Sequence, residues 1–517
     1  MEKVTSGPSS KRQIETITPG SKLALIQKLF DALHEYGIKY CHWKSNEHLY
    51  ASMTADTDLD VLFSQKQIEI LMPLLKRLGF KLFKAPKQKH YKDIEDFIAL
   101  DFSSGKIIHL HAHFKLTLGE VYLKSYQLNL EDTILSSRVF DKTFGIYRIA
   151  PAFELTLLYV RLALKLRNRD ILKMYLTNEI LYTGNTLNEY NWLKQRCTQE
   201  EIKAVLKQIF YDYFPVYEIL MKDFNRMEIL KLSGFIKKEF KNQRSVSSLH
   251  ANILRWQREI LLKVYKKCFS LLHLPIILKR INPRGGLIVA VVGADGSGKS
   301  TIIANIESAF GKKIDVYNIY FGSGDGHRSW MRKIIANLKK TILRPKIPKQ
   351  RVESKKSQAE KKKGFLSSVL KFIDALIIAS EKRKNLKLMQ AAKKNGMLVI
   401  CDRFPQNQIM GYNDGPLLQH LSFSKNMVLR IIAKKEARSY QFATNNPPDI
   451  LFKLIADARL LNERKPNGTP MQILEAKIES TKKIQWAECC KVITMDAAQP
   501  LEKLLSTIKK EIWNALP

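Results

Sequence analysis

Leu287-Ile-Val-Ala-Val-Val-Gly293-Ala-Asp-Gly-Ser-Gly298-Lys299-Ser300-Thr301 decides the fold: an unbroken apolar run enters a glycine-rich loop that closes on Lys-Ser-Thr. An apolar run this short, between Gly286 and Gly293, has the length of a strand covered on both faces, as in a parallel sheet flanked by helices. Thr301–Phe310 continues with helical spacing. In a strand, glycine loop and helix arranged this way, backbone N–H groups converge on phosphate oxygens with no Cβ in the way. Gly293, Ala294, Asp295, Gly296, Ser297, Gly298, Lys299, Ser300 and Thr301 are therefore candidate ligands of a nucleoside triphosphate with magnesium. Lys299 supplies a point charge for the outer phosphates, Ser300 a hydroxyl for Mg2+, and the helix N-terminus its dipole.

A second element belongs beside this one. Met397-Leu-Val-Ile-Cys-Asp402-Arg403-Phe404 reads as another buried strand, ending in a carboxylate and a guanidinium. Ligands of α/β sheets gather at the carboxyl ends of strands, so Asp402 and Arg403 are expected to face the loop. Asp402 suits Mg2+ through water, and the planar fork of Arg403 suits a phosphate.

Together, 293–301 and Val399-Ile-Cys-Asp402-Arg403-Phe404 resemble the thymidylate kinase branch of the P-loop nucleoside-monophosphate kinases. The likeness extends through Pro448-Asp449-Ile450-Leu451, the lid start Leu461-Asn-Glu-Arg464-Lys465, and the terminal turn Ile493-Thr-Met-Asp496-Ala497. It implies an α/β kinase fold over 287–517, ATP and Mg2+ as cofactors, and phosphoryl transfer to a nucleoside monophosphate, with dTMP to dTDP as first guess. Carried onto this chain, the resemblance makes Lys299, Asp402, Arg403 and Arg464 catalytic, and sets Asp496 and Ala497 beside the adenine. Arg383, in Ser380-Glu-Lys-Arg383, would meet the acceptor phosphate, Asp295 its sugar hydroxyl, and Tyr412 its base. Two departures lie on the acceptor side. Phe321-Gly-Ser-Gly-Asp325 stands where the family has Arg-Glu-Pro-Gly, and Phe404–Tyr412 matches loosely, so another nucleotide or a sugar or lipid phosphate stays open.

The front of the chain has a different grammar. An amphipathic helix over Leu23–Tyr36 precedes strands at Ile38–His42 and Leu59–Phe63, then a helix near Gln65–Leu78 and a strand at Lys106–His113. Lys44-Ser45 and Asp58-Leu-Asp60 resemble the Gly-Ser loop and D-x-D of the nucleotidyltransferase superfamily, with Lys44 in place of the glycine. The resemblance implies an α+β nucleotidyltransferase-like domain whose Asp58 and Asp60 hold Mg2+. Where the third carboxylate is expected, the strand shows His109, His111 and His113 at alternate positions, a metal face or a polar strand face, with Asp101 as another candidate acid.

The expected organisation is multidomain: a disordered tail over 1–20, the α+β domain over 21–150, a helical region over 151–281, a linker at Asn282–Gly286, and the kinase-like domain with a basic insertion at 323–365. Charge is the other global constraint: 86 Lys+Arg against 49 Asp+Glu leave a formal +37, which predicts polyanionic company. Two basic segments, 253–280 and 328–363, suit an anionic membrane surface or another polyanion, and without a zinc finger or similar module no sequence-specific nucleic-acid binding is expected. Six cysteines without C-x-x-C, and no apolar run of about 18 residues, argue against a disulfide scaffold and a spanning helix. The expected location is cytoplasmic, with peripheral attachment at the inner membrane surface as the alternative. Two rival functions stand beside the kinase: nucleotidyl transfer by the front domain, and a non-enzymatic NTP-binding protein that docks on membrane or nucleic acid. Nothing in the pattern selects an oligomeric state.

Overall fold

The structure, a computed structural model, describes residues 22–177, 184–222, 225–322, 358–466 and 468–517. The expected tail at 1–20 and most of the basic insertion lie outside them. The chain divides into two compact units. One contains the residues up to Gly79, Ile108–Glu120 and Lys124–Ser245; the other contains Phe80–Ile107, Val121–Leu123 and Val246–Pro517.

In the first unit, helix Ala24–Glu35 buries Ile26, Leu29, Phe30 and Leu33 along one stripe. Strand Tyr40–His42 pairs antiparallel with Leu59–Phe63 and parallel with Ile146–Arg148. Leu59–Phe63 pairs in turn, parallel, with Ile107–His113, in a register that sets Asp60 beside His111. The helical region, read from the sequence as a packing partner of the α+β domain, shares this unit's core. Cys41, Trp43 and Leu62 lie in one apolar cluster with Leu155, Leu158, Leu206, Ile236 and Phe240. Helix Pro151–Lys165 is the hub of that cluster and is apolar nearly all round, as a helix covered on every side must be.

The second unit carries a five-stranded, all-parallel sheet. Its strands are β1 (Leu287–Gly293), β2 (Val316–Tyr320), β3 (Leu398–Asp402), β4 (Ile450–Ile455) and β5 (Lys491–Asp496), in the order β2-β3-β1-β4-β5. The most apolar run in the chain therefore takes the centre, where both faces are buried. Helices α1 (Lys299–Phe310) and α2 (Gln358–Lys394) follow β1 and precede β3, so the end of the expected insertion is helical. Asp449 pins the sheet, accepting from the Ile288 N–H at 2.7 Å and the Lys393 ammonium at 2.5 Å. Asn282–Gly286 is no free linker: Asn282 is buried, its N–H donates to the Gly396 carbonyl at 3.0 Å, and a Cβ on Gly286 would run into the Met397 backbone.

The hub helix of the first unit also buries Glu154, whose carboxylate accepts from the Asn46 N–H at 3.0 Å and side-chain amide at 2.7 Å. Burial pushes this carboxyl from its ordinary 4.5 up to about 7, against the pull of those two bonds. The unfolded chain therefore loses the proton first, and the first unit should lose stability as pH rises from about 4.5 to 7, by on the order of 2–3 kcal/mol from this group. Glu154→Gln should flatten that fall in denaturant midpoints taken between these pH values; parallel curves for the two proteins would contradict it.

Candidate functional site

At the carboxyl end of β1 the chain turns through the glycine loop into α1. Gly296 has φ 85°, and a Cβ there would lie 2.5 Å from the Leu461 carbonyl oxygen, so glycine admits helix Ala458–Arg464 against the loop. At Gly293 a Cβ would meet Ser297 Oγ at 2.7 Å and the Leu454 carbonyl at 2.8 Å. The loop thus fits a cradle of backbone amides with no room for side chains beneath it.

The cavity over this loop has a volume of about 580 Å3 and is lined by Asp295 through Thr301, Tyr320, Asp402, Arg403, Arg464, Lys465 and Ala497, with Leu501 and Leu504 as an apolar wall. The four residues expected to be catalytic therefore share one space. Register explains part of this: Val291 of β1 pairs with Asp402 of β3, so β3 ends two residues short of Gly293, where the loop begins. Arg403 then takes a left-handed φ of 68°, a strained backbone for a residue with a Cβ, while its N–H still donates to the Val291 carbonyl at 3.0 Å. Its guanidinium reaches Asp295 at 2.8 Å and Asp414 at 3.7 Å.

Lys299 is buried, and its ammonium donates to the carbonyls of Gly293 (2.9 Å) and Ala294 (2.7 Å). Burial and the neighbouring Arg403 bring it down to about 8, against the opposing pull of Asp295, Asp402 and Asp414. Arg464 donates to the Ala497 carbonyl at 2.8 Å, which fastens the expected lid start to the turn after β5. The Ser300 hydroxyl and the Asp402 carboxylate are hard oxygen donors on one cavity wall, a set that suits Mg2+.

Of the remaining expected contacts Asp295 lines the cavity, and Arg383, Tyr412 and Asp496 do not. Asp295 is committed: besides Arg403 it accepts from Lys477 (2.7 Å) and Thr469 (2.9 Å), a cluster that outweighs burial and holds its carboxyl well below the usual range. Arg383 lies over the Phe442 ring at 5.7 Å and does not line the cavity; its neighbours Glu381, Lys384 and Asn385 instead line a second space of about 790 Å3 that includes Tyr320 and Asp402. The inward cation of that helix is Lys382, buried against the Asp414 carbonyl at 2.9 Å. Tyr412 is exposed and lines none of these spaces, while its carbonyl accepts from Gln406. The Asp496 carboxylate accepts from the Ala498 N–H at 2.9 Å and faces a separate cavity beside Asp457.

Lys477 and Lys382 carried a signal in the sequence. Lys477 falls on the buried stripe of Leu474, Ile478 and Thr481, and Lys382 on that of Ala375, Ile378, Ala379 and Leu386. A lysine on an apolar stripe implies a buried partner.

In the first unit the two carboxylates expected to hold Mg2+ each meet an imidazole, and Asp60, His111 and His113 stand close enough together to hold a metal ion. Asp58 meets His109 at 2.9 Å, and Asp60 meets Lys44 at 2.9 Å, His111 at 3.0 Å and His113 at 3.5 Å. Against burial, the Lys44 charge and the two imidazoles hold the Asp60 carboxyl well below its usual range. Lys44, the residue that replaces the glycine, thus supplies the countercharge. Asp101 serves its own turn, accepting from Ser103 (2.6 Å) and from both the N–H (2.9 Å) and hydroxyl (2.6 Å) of Ser104.

No family model matches the sequence. The chain is 24% identical over 238 residues to the uncharacterized ATP-binding protein YghS of Escherichia coli K12, covering 46% of this chain and 96% of that one. Deoxyadenosine kinase from M. mycoides, solved with bound dATP, overlaps 44% of this chain and 98% of its own, at 20% identity and a TM-score of 0.24. Thymidylate kinase from Candida albicans overlaps 44% and 92%, at 12% identity and a TM-score of 0.27. At these scores neither overlap bears on fold or activity.

Gly296→Ala should both strain the left-handed φ and push on the Leu461 carbonyl, costing on the order of 1–3 kcal/mol. A thermal midpoint of the second unit equal to that of the native protein would show that the loop and helix Ala458–Arg464 do not meet this closely.

Proposed function

We propose that the second unit binds ATP with Mg2+ in the glycine loop and transfers the terminal phosphoryl group to a phosphorylated acceptor, with thymidylate the first candidate. One observation carries the proposal: Lys299, Asp402, Arg403 and Arg464 line a single cavity with the amides of the loop. The description of YghS as ATP-binding supports the choice of donor.

Phosphoryl transfer asks a protein to align donor and acceptor and to offset charge on the moving group, with no covalent step of its own. The loop amides and the α1 N-terminus hold the donor phosphates. Lys299 exchanges its two carbonyl partners for phosphate oxygens, which raises its proton affinity again and keeps the ammonium charged. Ser300 and Asp402 would hold Mg2+, which would offset charge on the donor phosphates. Arg403, positioned by Asp295 and Asp414, presents its fork to the transferred group, and Arg464 adds a second guanidinium on the same cavity. Ala497, Leu501 and Leu504 offer the base an apolar wall.

An acceptor screen with terminally labelled ATP, comparing nucleoside monophosphates with phosphorylated sugars, tests the transfer. Label passed to none of them would overturn it. Lys299→Ala should lower turnover by on the order of 10²–10³ with the fold intact, and an undiminished rate would reject the assignment. Asp58 and Asp60, already paired to imidazoles and Lys44, have no part in this reaction. Asp58→Asn with Asp60→Asn should leave ADP formation unchanged; loss of ADP formation in a folded double variant would place the chemistry in the front half.

A further inference from the structure

The helix Ser248–Leu272 is the longest element the kinase reading leaves without a task. Its 25 residues run about 37 Å at the usual rise. Ala251, Arg255, Glu259 and Leu262 are buried and define the face packed on the protein. Leu249, Ile253, Trp256, Ile260, Val264 and Leu271 recur at helical spacing on the opposite face, and all six are exposed, Leu249 at 74%, Trp256 at 61% and Leu271 at 67%. A water-facing row of large apolar side chains along a whole helix is costly unless something covers it.

The charges along the row narrow what that is. Lys263 and Lys267 are exposed beside it, and Lys266 is exposed further round the helix. The helix has one acid, Glu259, which is buried and shared between Arg255 at 3.5 Å and Lys263 at 3.2 Å. The exposed face is therefore apolar and cationic, with no carboxylate.

We propose that this face lies in the interface of an anionic lipid bilayer. An amphipathic helix with Trp and aliphatic residues on one side and lysines along its flank has the shape and chemistry of an in-plane anchor: the rings and branches enter the acyl boundary while the lysine heads stay among the phosphates. None of the helices described is long and apolar enough to cross a membrane, so the attachment is parallel to the surface. The formal charge of +37 draws the chain to a negative surface over long range. That same charge argues against a second copy as the cover, because self-pairing would bring Lys263 and Lys267 of two cationic chains together. The proposal does not depend on the identity of the phosphoryl acceptor.

The test is flotation of the full chain with vesicles of phosphatidylcholine and phosphatidylglycerol at roughly 3:1, against vesicles of phosphatidylcholine alone. The native protein should float with the anionic vesicles, and Trp256→Glu with Ile260→Glu should weaken that binding at least roughly tenfold with circular dichroism and thermal midpoint unchanged, as exposed positions allow. No flotation of the native protein overturns the proposal. So does equal flotation of native and variant, which would assign the attraction to bulk charge. A native dimer that the variant dissociates would instead give the face to a second copy, and binding to soluble polyglutamate as tight as to the vesicles would give it to an acidic protein. ATP turnover should be the same in both proteins away from membranes.

Discussion

An alternating chain of charges organises the second unit around its loop. Lys477 reaches Asp295, Asp295 reaches Arg403, Arg403 reaches Asp414, and Asp414 reaches Lys382. These side chains come from the loop, the end of β3, the segment after it and two helices, so one run of ion pairs ties these pieces together. Lys382 and Asp414 are buried enough that either charge alone would be costly, whereas in sequence each offsets the next. The left-handed backbone of Arg403 is tolerated because its amide keeps a strand bond and its guanidinium has two carboxylates to reach.

That arrangement separates two roles positive charge plays here. The overall excess acts at a distance and is indifferent to detail. The cations around the cavity are placed: Lys299 on two loop carbonyls, Arg464 on the Ala497 carbonyl, Arg403 on two carboxylates. On the proposed reading these cations are held near the phosphates before binding, and Lys299 gives up its two carbonyls for phosphate oxygens.

The first unit uses the same chemistry to the opposite effect. Its parallel register sets Asp60 directly beside His111, and the period of two carries His109 and His113 onto the same face. Carboxylates alternating along one strand meet imidazoles alternating along the next, and Lys44 adds an ammonium. The result is a compensated polar layer over an apolar core, where an open pair of acids would have concentrated negative charge.

Much of the second unit was legible in residue order because its signals are local. An apolar run of strand length, glycines at loop positions and a following helical period are set by neighbours in sequence, and they placed β1, the loop, α1 and β3 correctly. Lys299, Asp402, Arg403 and Arg464 were legible too, since the ends of parallel strands and the helix after β4 must open on one side of the sheet. Side-chain partners at a distance were not. Asp295 was expected to meet a ligand and is taken by Lys477 and Thr469, more than 170 residues away; Arg383 turns to Phe442 while Lys382 points inward, a choice made by the rotation of one helix against its neighbours. The amino-acid order determined which elements form and where the glycine loop lies, because backbone geometry follows local pattern. Only the packed chain decided which charges remain for a substrate, because an ion pair depends on what folding brings within about 4 Å.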